Sequence, residues 1–144
     1  MGLYLRAKVP KCLITKKMAN VFIVEDDINL ANIYKQKLTE GGHAATVVLD
    51  KEAVSRITAS RPDLVLLDIL MPSVGGLDIL RELKADANTA GIPVILLTNV
   101  SEDTSIAKGL EYGAYGYLLK SETTPDLLLS RVNMALEETA PPKP

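Results

Sequence analysis

The sequence predicts an α/β domain: a doubly wound parallel sheet of five strands with helices on both faces. Three observations predict it. Five short apolar runs alternate with five segments of helical apolar spacing, each strand-plus-helix unit taking about 20–25 residues. The runs lack the polar alternation of half-exposed strands, as expected of strands covered on both faces. Strands separated by helices need crossover connections, and crossovers make neighbouring strands parallel.

The elements follow in order. Val21-Phe22-Ile23-Val24 is the first strand. Leu30, Ile33, Tyr34 and Leu38 then recur at helical spacing until Gly41-Gly42 stops the helix. Ala45 to Leu49 makes the second strand, and Ala53, Val54 and Ile57 a short helix ending before Pro62. Leu64-Val65-Leu66-Leu67, wholly apolar, is the third strand and the expected centre of the sheet. A Pro- and Gly-containing loop, Met71 to Gly76, leads to a helix with Leu77, Leu80 and Leu83 on one face. Val94 to Leu97 is the fourth strand and Tyr115 to Leu119 the fifth, with a helix lined by Ile106, Ala107 and Leu110 between them. The last helix, Pro125 to about Glu138, is expected to bury Leu128, Val132, Ala135 and Leu136, with its proline in the first turn.

Composition narrows the class. The chain has 144 residues, a net charge of −2 and 47% hydrophobic content, which suits one soluble domain and leaves too little for two cores. No apolar run approaches the ~20 residues of a membrane span. A single cysteine, Cys12, excludes an internal disulfide and fits a reducing, cytoplasmic location. With one histidine, His43, acidic side chains must carry most of any chemistry. Charge is uneven: residues 1–17 hold five basic residues and no acid, while the rest holds 11 basic and 18 acidic ones. The expected organisation is a basic N-terminal extension over 1–18, a folded domain over 19–138 and a tail over 139–144. The extension reads either as a weak nucleic-acid or anionic-lipid contact or as chain without structure. No second domain is expected after the tail.

In doubly wound sheets ligands bind beyond the carboxyl ends of the strands. Strand one is followed by Glu25, Asp26 and Asp27, strand three by Asp68 and strand four by Thr98, while strand five ends at Lys120. Asp50 ends strand two, an expected edge. Each has an ordinary explanation: Asp27 or Thr98 as a helix cap, Asp68 as a turn residue, Lys120 as a solvated cation. Their convergence at one mouth is harder to explain that way. Clustered carboxylates repel and call for a hard divalent cation, for which Mg²⁺ is suited. A lysine and a hydroxyl opposite it would bind a phosphoryl group, and a carboxylate beside the metal could be its acceptor.

These residues resemble the receiver domain of bacterial two-component response regulators. The resemblance rests on Val21-Phe-Ile-Val-Glu-Asp-Asp27, Asp63-Leu-Val-Leu-Leu-Asp-Ile-Leu-Met-Pro72, Gly76-Leu77, Pro93-Val-Ile-Leu-Leu-Thr98 and Gly113-Ala-Tyr-Gly-Tyr-Leu-Leu-Lys120, and covers about 19–138. It implies a flavodoxin-like sheet in the order 2-1-3-4-5. It also implies Asp68 as phosphoryl acceptor, and a Mg²⁺ site, with Mn²⁺ as a substitute, made by Glu25 (through water), Asp26, Asp68 and the Leu70 carbonyl. Lys120 would pair with the phosphoryl oxygens, Thr98 would report phosphorylation, and Tyr117 would be the aromatic switch. The implied donor is a phosphohistidine on a sensor histidine kinase or phosphotransfer protein.

The expected output is a stand-alone signalling protein rather than an enzyme. It would bind a downstream protein or a second copy through the fourth helix, fifth strand and fifth helix, where one of Leu127 and Leu129 is expected to be exposed. No direct DNA binding is expected, because the body is acidic and lacks a helix-turn-helix segment. The chain departs from the family pattern at Ser121, which replaces a proline usually preceded by a cis bond. It departs again at Asn99, and at Leu70 and Val100, whose apolar side chains predict a long-lived phosphorylated form. The alternative function is a Mg²⁺-dependent phosphatase with an aspartate nucleophile, although Leu70 stands where its second acid is wanted. A nucleotide or flavin binder would need a Gly-rich loop after strand one, where acids stand instead.

Overall fold

The computed structural model describes residues 18–99 and 103–140. The strands are β1 (Asn20–Val24), β2 (Ala44–Val48), β3 (Leu64–Asp68), β4 (Val94–Thr98) and β5 (Gly116–Leu119). The helices are α1 (Ile28–Glu40), α2 (Ala53–Ser60), α3 (Gly76–Ala85), α4 (Asp103–Glu111) and α5 (Pro125–Thr139), with short 3-10 turns at Asp50–Glu52 and Lys120–Glu122. All strands pair in parallel in the order β2-β1-β3-β4-β5. The central position of β3 explains why all five of its residues are buried.

The period of two along each strand splits the core into two layers. Phe22, Val24, Val65, Leu67, Val94 and Leu96 face α2 and α3, whose Ile57, Ile79, Leu80 and Leu83 pack on them. Val21, Ile23, Leu64, Leu66, Ile95 and Leu97 face α1 and α5, which supply Tyr34, Leu38, Leu128 and Val132. A strand buried in this way has no outward side for polar residues, hence its unbroken apolar run. Each fully buried Leu or Ile contributes about 1.5–3 kcal/mol.

Local chemistry sets the boundaries. Asp27 caps α1 by accepting from the amides of Asn29 (3.1 Å) and Leu30 (3.2 Å). Gly42, at φ +92°, turns the chain out of that helix. Thr124 caps α5 through the Leu127 amide at 3.1 Å, with Pro125 at the first helical position. His43 is a core residue: its Nδ1 accepts from the Ala19 amide (3.2 Å), so Nε2 carries the proton towards Asn133 Oδ1 (2.7 Å).

Several expected contacts differ. Ile33 is exposed, because α1 buries the stripe Ala31, Tyr34 and Leu38. Helix α4 docks through Ile106 and Gly109, leaving Ala107 and Leu110 outward. A Cβ on Gly109 would lie 2.2 Å from Leu96, which shows how closely this helix approaches the sheet. Leu127 and Leu129 are both half-buried, and Leu129 packs over Gly41 and the α1–α5 core, so neither forms the expected exposed patch. The second strand begins and ends one residue earlier than expected, and the fifth begins one later. No helix among the described residues is long and apolar enough to cross a membrane. The basic segment 1–17, Val100 and the last four residues lie outside the described residues.

Candidate functional site

Strand register assembles the site. Val24 pairs with Leu67, so Glu25 and Asp68 leave neighbouring strand tips side by side. Asp68 pairs with Leu97, one residue before Thr98, and Thr98 pairs with Leu119, one residue before Lys120. Four positions scattered over the sequence thus meet along one edge of the sheet.

Glu25, Asp26 and Asp68 each present a carboxylate oxygen to a common point, these atoms lying within 4.8 Å of one another. Glu25 and Asp68 are buried and Asp26 is exposed, so the cluster opens to solvent on the Asp26 side. Lys120 bridges the two buried acids, with Nζ 2.7 Å from Glu25 Oε1 and 3.1 Å from Asp68 Oδ2. The other Glu25 oxygen accepts from the Asp27 amide at 3.0 Å, and Asp68 Oδ1 accepts from the Leu70 amide at 3.3 Å. Both oxygens of Glu25 are therefore engaged within the protein, and Asp26 is the more open carboxylate.

The electrostatics are those of a crowded acid cluster. Burial pushes the Asp68 carboxyl up to about 7, and its hydrogen bond with Asp26 and the charge of Glu25 add to the rise against the pull of Lys120. The same hydrogen bond with Asp68 holds Asp26 below the usual carboxylate range. Burial alone would lower Lys120, yet its hydrogen bond to Glu25 and the charge of Asp68 leave it raised. Burial among like charges thus favours the protonated form of Asp68 over a wider pH range than for an ordinary carboxyl. The residues fit Mg²⁺: the donors are all oxygen, three carboxylates converge on one point, and solvent reaches the Asp26 side for its remaining ligands.

The loop from β3 to α3 is tightly set. A Cβ on Gly76 would lie 2.0 Å from the Asp68 carbonyl oxygen, so only glycine lets α3 start this close to the end of β3. The Gly76 amide donates to the Ile69 carbonyl at 2.9 Å. Asp50 reaches across to this loop, its Oδ2 accepting from the amides of Ser73 and Val74, both at 3.0 Å. That contact joins an edge-strand turn to a loop 23 residues away, and no sequence spacing signals it. The sequence marked Asp50 only as a strand end.

Thr98 is buried at the tip of β4. Tyr117 on β5 is 44% exposed and lines a groove of about 490 Å³ between α4 and α5 with Leu110, Tyr115, Arg131 and Met134. Leu70 points its side chain to solvent. The Lys120–Ser121 bond is trans, and Thr123 Oγ1 closes the turn after it on the Leu119 carbonyl at 2.6 Å.

The profile of the response regulator receiver domain family matches residues 21–133. The chain is 35% identical over 117 residues to the DNA-binding response regulator MtrA of Mycobacterium tuberculosis, covering 81% of this chain and 50% of MtrA. It is 32% identical over 125 residues to the phosphate regulon transcriptional regulatory protein PhoB of Rhizobium meliloti, covering 86% of this chain and 55% of PhoB. The signal receiver domain of a histidine kinase from Syntrophus aciditrophicus superposes with a TM-score of 0.78 at 33% identity, covering 87% of this chain and 95% of that domain. The chain spans about half the length of the curated relatives it matches. These relatives overturn the expectation about DNA: MtrA is DNA-binding and PhoB a transcriptional regulator. An acidic receiver half without a helix-turn-helix says nothing about the other half of such a protein. From profile, relatives and sheet order together, the chain belongs to the response regulator receiver domain family of two-component signalling systems.

Proposed function

We propose that this chain is a cytoplasmic phosphorylation switch that accepts a phosphoryl group on Asp68. The observation that carries the reading is Lys120 joined to both Glu25 and Asp68 beside the open carboxylate of Asp26. One Asp68 oxygen attacks phosphorus of a phosphohistidine donor; the P–N bond breaks and the imidazole leaves with the bonding pair. Asp68 must be ionised to attack, and a bound Mg²⁺ would supply the charge that displaces its proton. Asp26, Asp68 and the Leu70 carbonyl would hold the metal, with Glu25 acting through water. Lys120 neutralises charge on the transferred oxygens, since such transfer needs alignment and neutralisation more than covalent help. Hydrolysis of the resulting acyl phosphate returns Asp68 and inorganic phosphate.

Thr98 is the hydroxyl within the strand-tip row that would report the new charge. Tyr117, now outward, is the ring whose inward turn would reshape the α4–β5–α5 face. MtrA and PhoB favour control of DNA binding as the output of such a switch.

Incubation with Mg²⁺ and a small acyl-phosphate donor, followed by intact mass, tests the reading. A single phosphate adduct is expected on the native chain and none on Asp68→Asn. Turnover of free phosphate esters without an adduct would favour the aspartate-nucleophile phosphatase instead.

A further inference from the structure

We infer that Asp50 is a positioning residue for the metal site, clamping the β3–α3 loop so that the Leu70 carbonyl faces the acid cluster. The inference rests on the proposed function, in which that carbonyl is a metal ligand. Its basis is geometric. The loop leaves β3 with the Leu70 amide tied to Asp68 Oδ1 (3.3 Å) and enters α3 with the Gly76 amide tied to the Ile69 carbonyl (2.9 Å). Between these anchors Pro72 has no amide to offer. The next two amides, Ser73 and Val74, converge on one oxygen of Asp50 at 3.0 Å each. The other Asp50 oxygen is fixed by the Lys51 amide at 2.8 Å, so the carboxylate cannot rotate freely. The amides of Val74 and Ser73 hold its carboxyl below the usual range, which keeps it an anion at neutral pH.

Asp50 has no place among the metal-facing acids, and its carboxylate is spent wholly on backbone amides. A carboxylate that accepts two consecutive amides fixes the peptide planes of the loop. Partners that orient a metal ligand from outside typically change metal affinity 10–100-fold when removed.

The test is Mg²⁺ titration by calorimetry on the full chain, with amide exchange at Ser73 and Val74 read by NMR. Asp50→Ala is expected to bind Mg²⁺ about 10-fold more weakly and to exchange both amides faster. Asp50→Asn, which keeps one acceptor oxygen, should fall between it and wild type. Phosphorylation by an acyl phosphate should recover in Asp50→Ala at high Mg²⁺, since the acceptor and Lys120 are untouched; a general structural defect would not be rescued. If wild type and Asp26→Asn alike take up no Mg²⁺, the functional reading falls and this inference with it. If wild type binds and Asp50→Ala binds within two-fold of it, only this inference is overturned. Should Asp50→Ala not fold, Asp50→Asn decides: wild-type affinity with unchanged exchange at Ser73 and Val74 overturns the role.

Discussion

The ammonium of Lys120 lies 2.7 Å from Glu25 Oε1, closer than its 3.1 Å approach to Asp68. Glu25 therefore holds the lysine at the strand tips whatever charge Asp68 carries. In the proposed switch, an ammonium stationed there would follow the Asp68 oxygens on phosphorylation without crossing solvent.

Removing that cation should be costly twice over. Lys120→Met strands the buried Glu25 carboxylate, and breaking a buried pair from one side costs about 3–5 kcal/mol. Urea denaturation should show this loss, and the intact-mass assay a sharp drop in phosphate uptake. Glu25→Gln in the same background should recover much of the stability and none of the uptake.

Stability should fall as pH rises from about 4 to about 7 in chelator-treated protein. Asp68 titrates near 7 when folded against an ordinary 3.8, so across that window the native state binds more protons than the unfolded one. The slope from one such group is at most about 1.4 kcal/mol per pH unit. Asp26, shifted the other way, acts only below about pH 4. Asp68→Asn should flatten the profile, measured as denaturation midpoints at stepped pH.

Mg²⁺ should bind with release of a proton near pH 6 and with almost none at pH 8.5, because metal and proton compete for the same carboxylates. Calorimetry in two buffers of different ionisation enthalpy measures that release. Affinity should rise across the interval, and Asp26→Asn should lower it throughout.

Gly76→Ala should destabilise the domain by about 3 kcal/mol, the upper end for overpacking, because the new methyl meets backbone rather than a side chain that can swing away. Gly41→Ala, whose methyl would meet only the end of Leu129, should cost less. Thermal or urea unfolding separates the two.

Tyr34 carries a hydroxyl that is fully buried in the α1–α5 layer and has no hydrogen-bond partner among the described residues. Burial, followed by the charge of Glu25, raises the pKa of this phenol. Tyr34→Phe keeps the ring and removes the unpaired group, so stability should rise by about 1 kcal/mol. An unchanged or lower denaturation midpoint would show that the hydroxyl finds a partner in solution.

The sequence by itself determined the class, the strand identities and the row of chemical groups at the strand tips. Unbroken runs such as Leu64 to Leu67 can be satisfied only inside a two-sided sheet. The acids, the hydroxyl and the lysine stand directly after such runs, so their location followed from the class. Asp27 as a helix cap was legible for the same reason, since capping is local.

Tertiary structure decided what depends on contacts between distant segments. Ile33 and Tyr34 are both apolar enough to bury, and only the docking angle of α1 chose Tyr34. The close seating of Gly109 on Leu96 turned Ala107 outward. Asp50 gained its role because the β2 turn and the β3–α3 loop pass at hydrogen-bonding distance, and the shift of Asp68 arose because β1 and β3 end in register. Pattern reads the burial demanded of each residue along its own element, whereas distances and desolvation exist only after the elements pack.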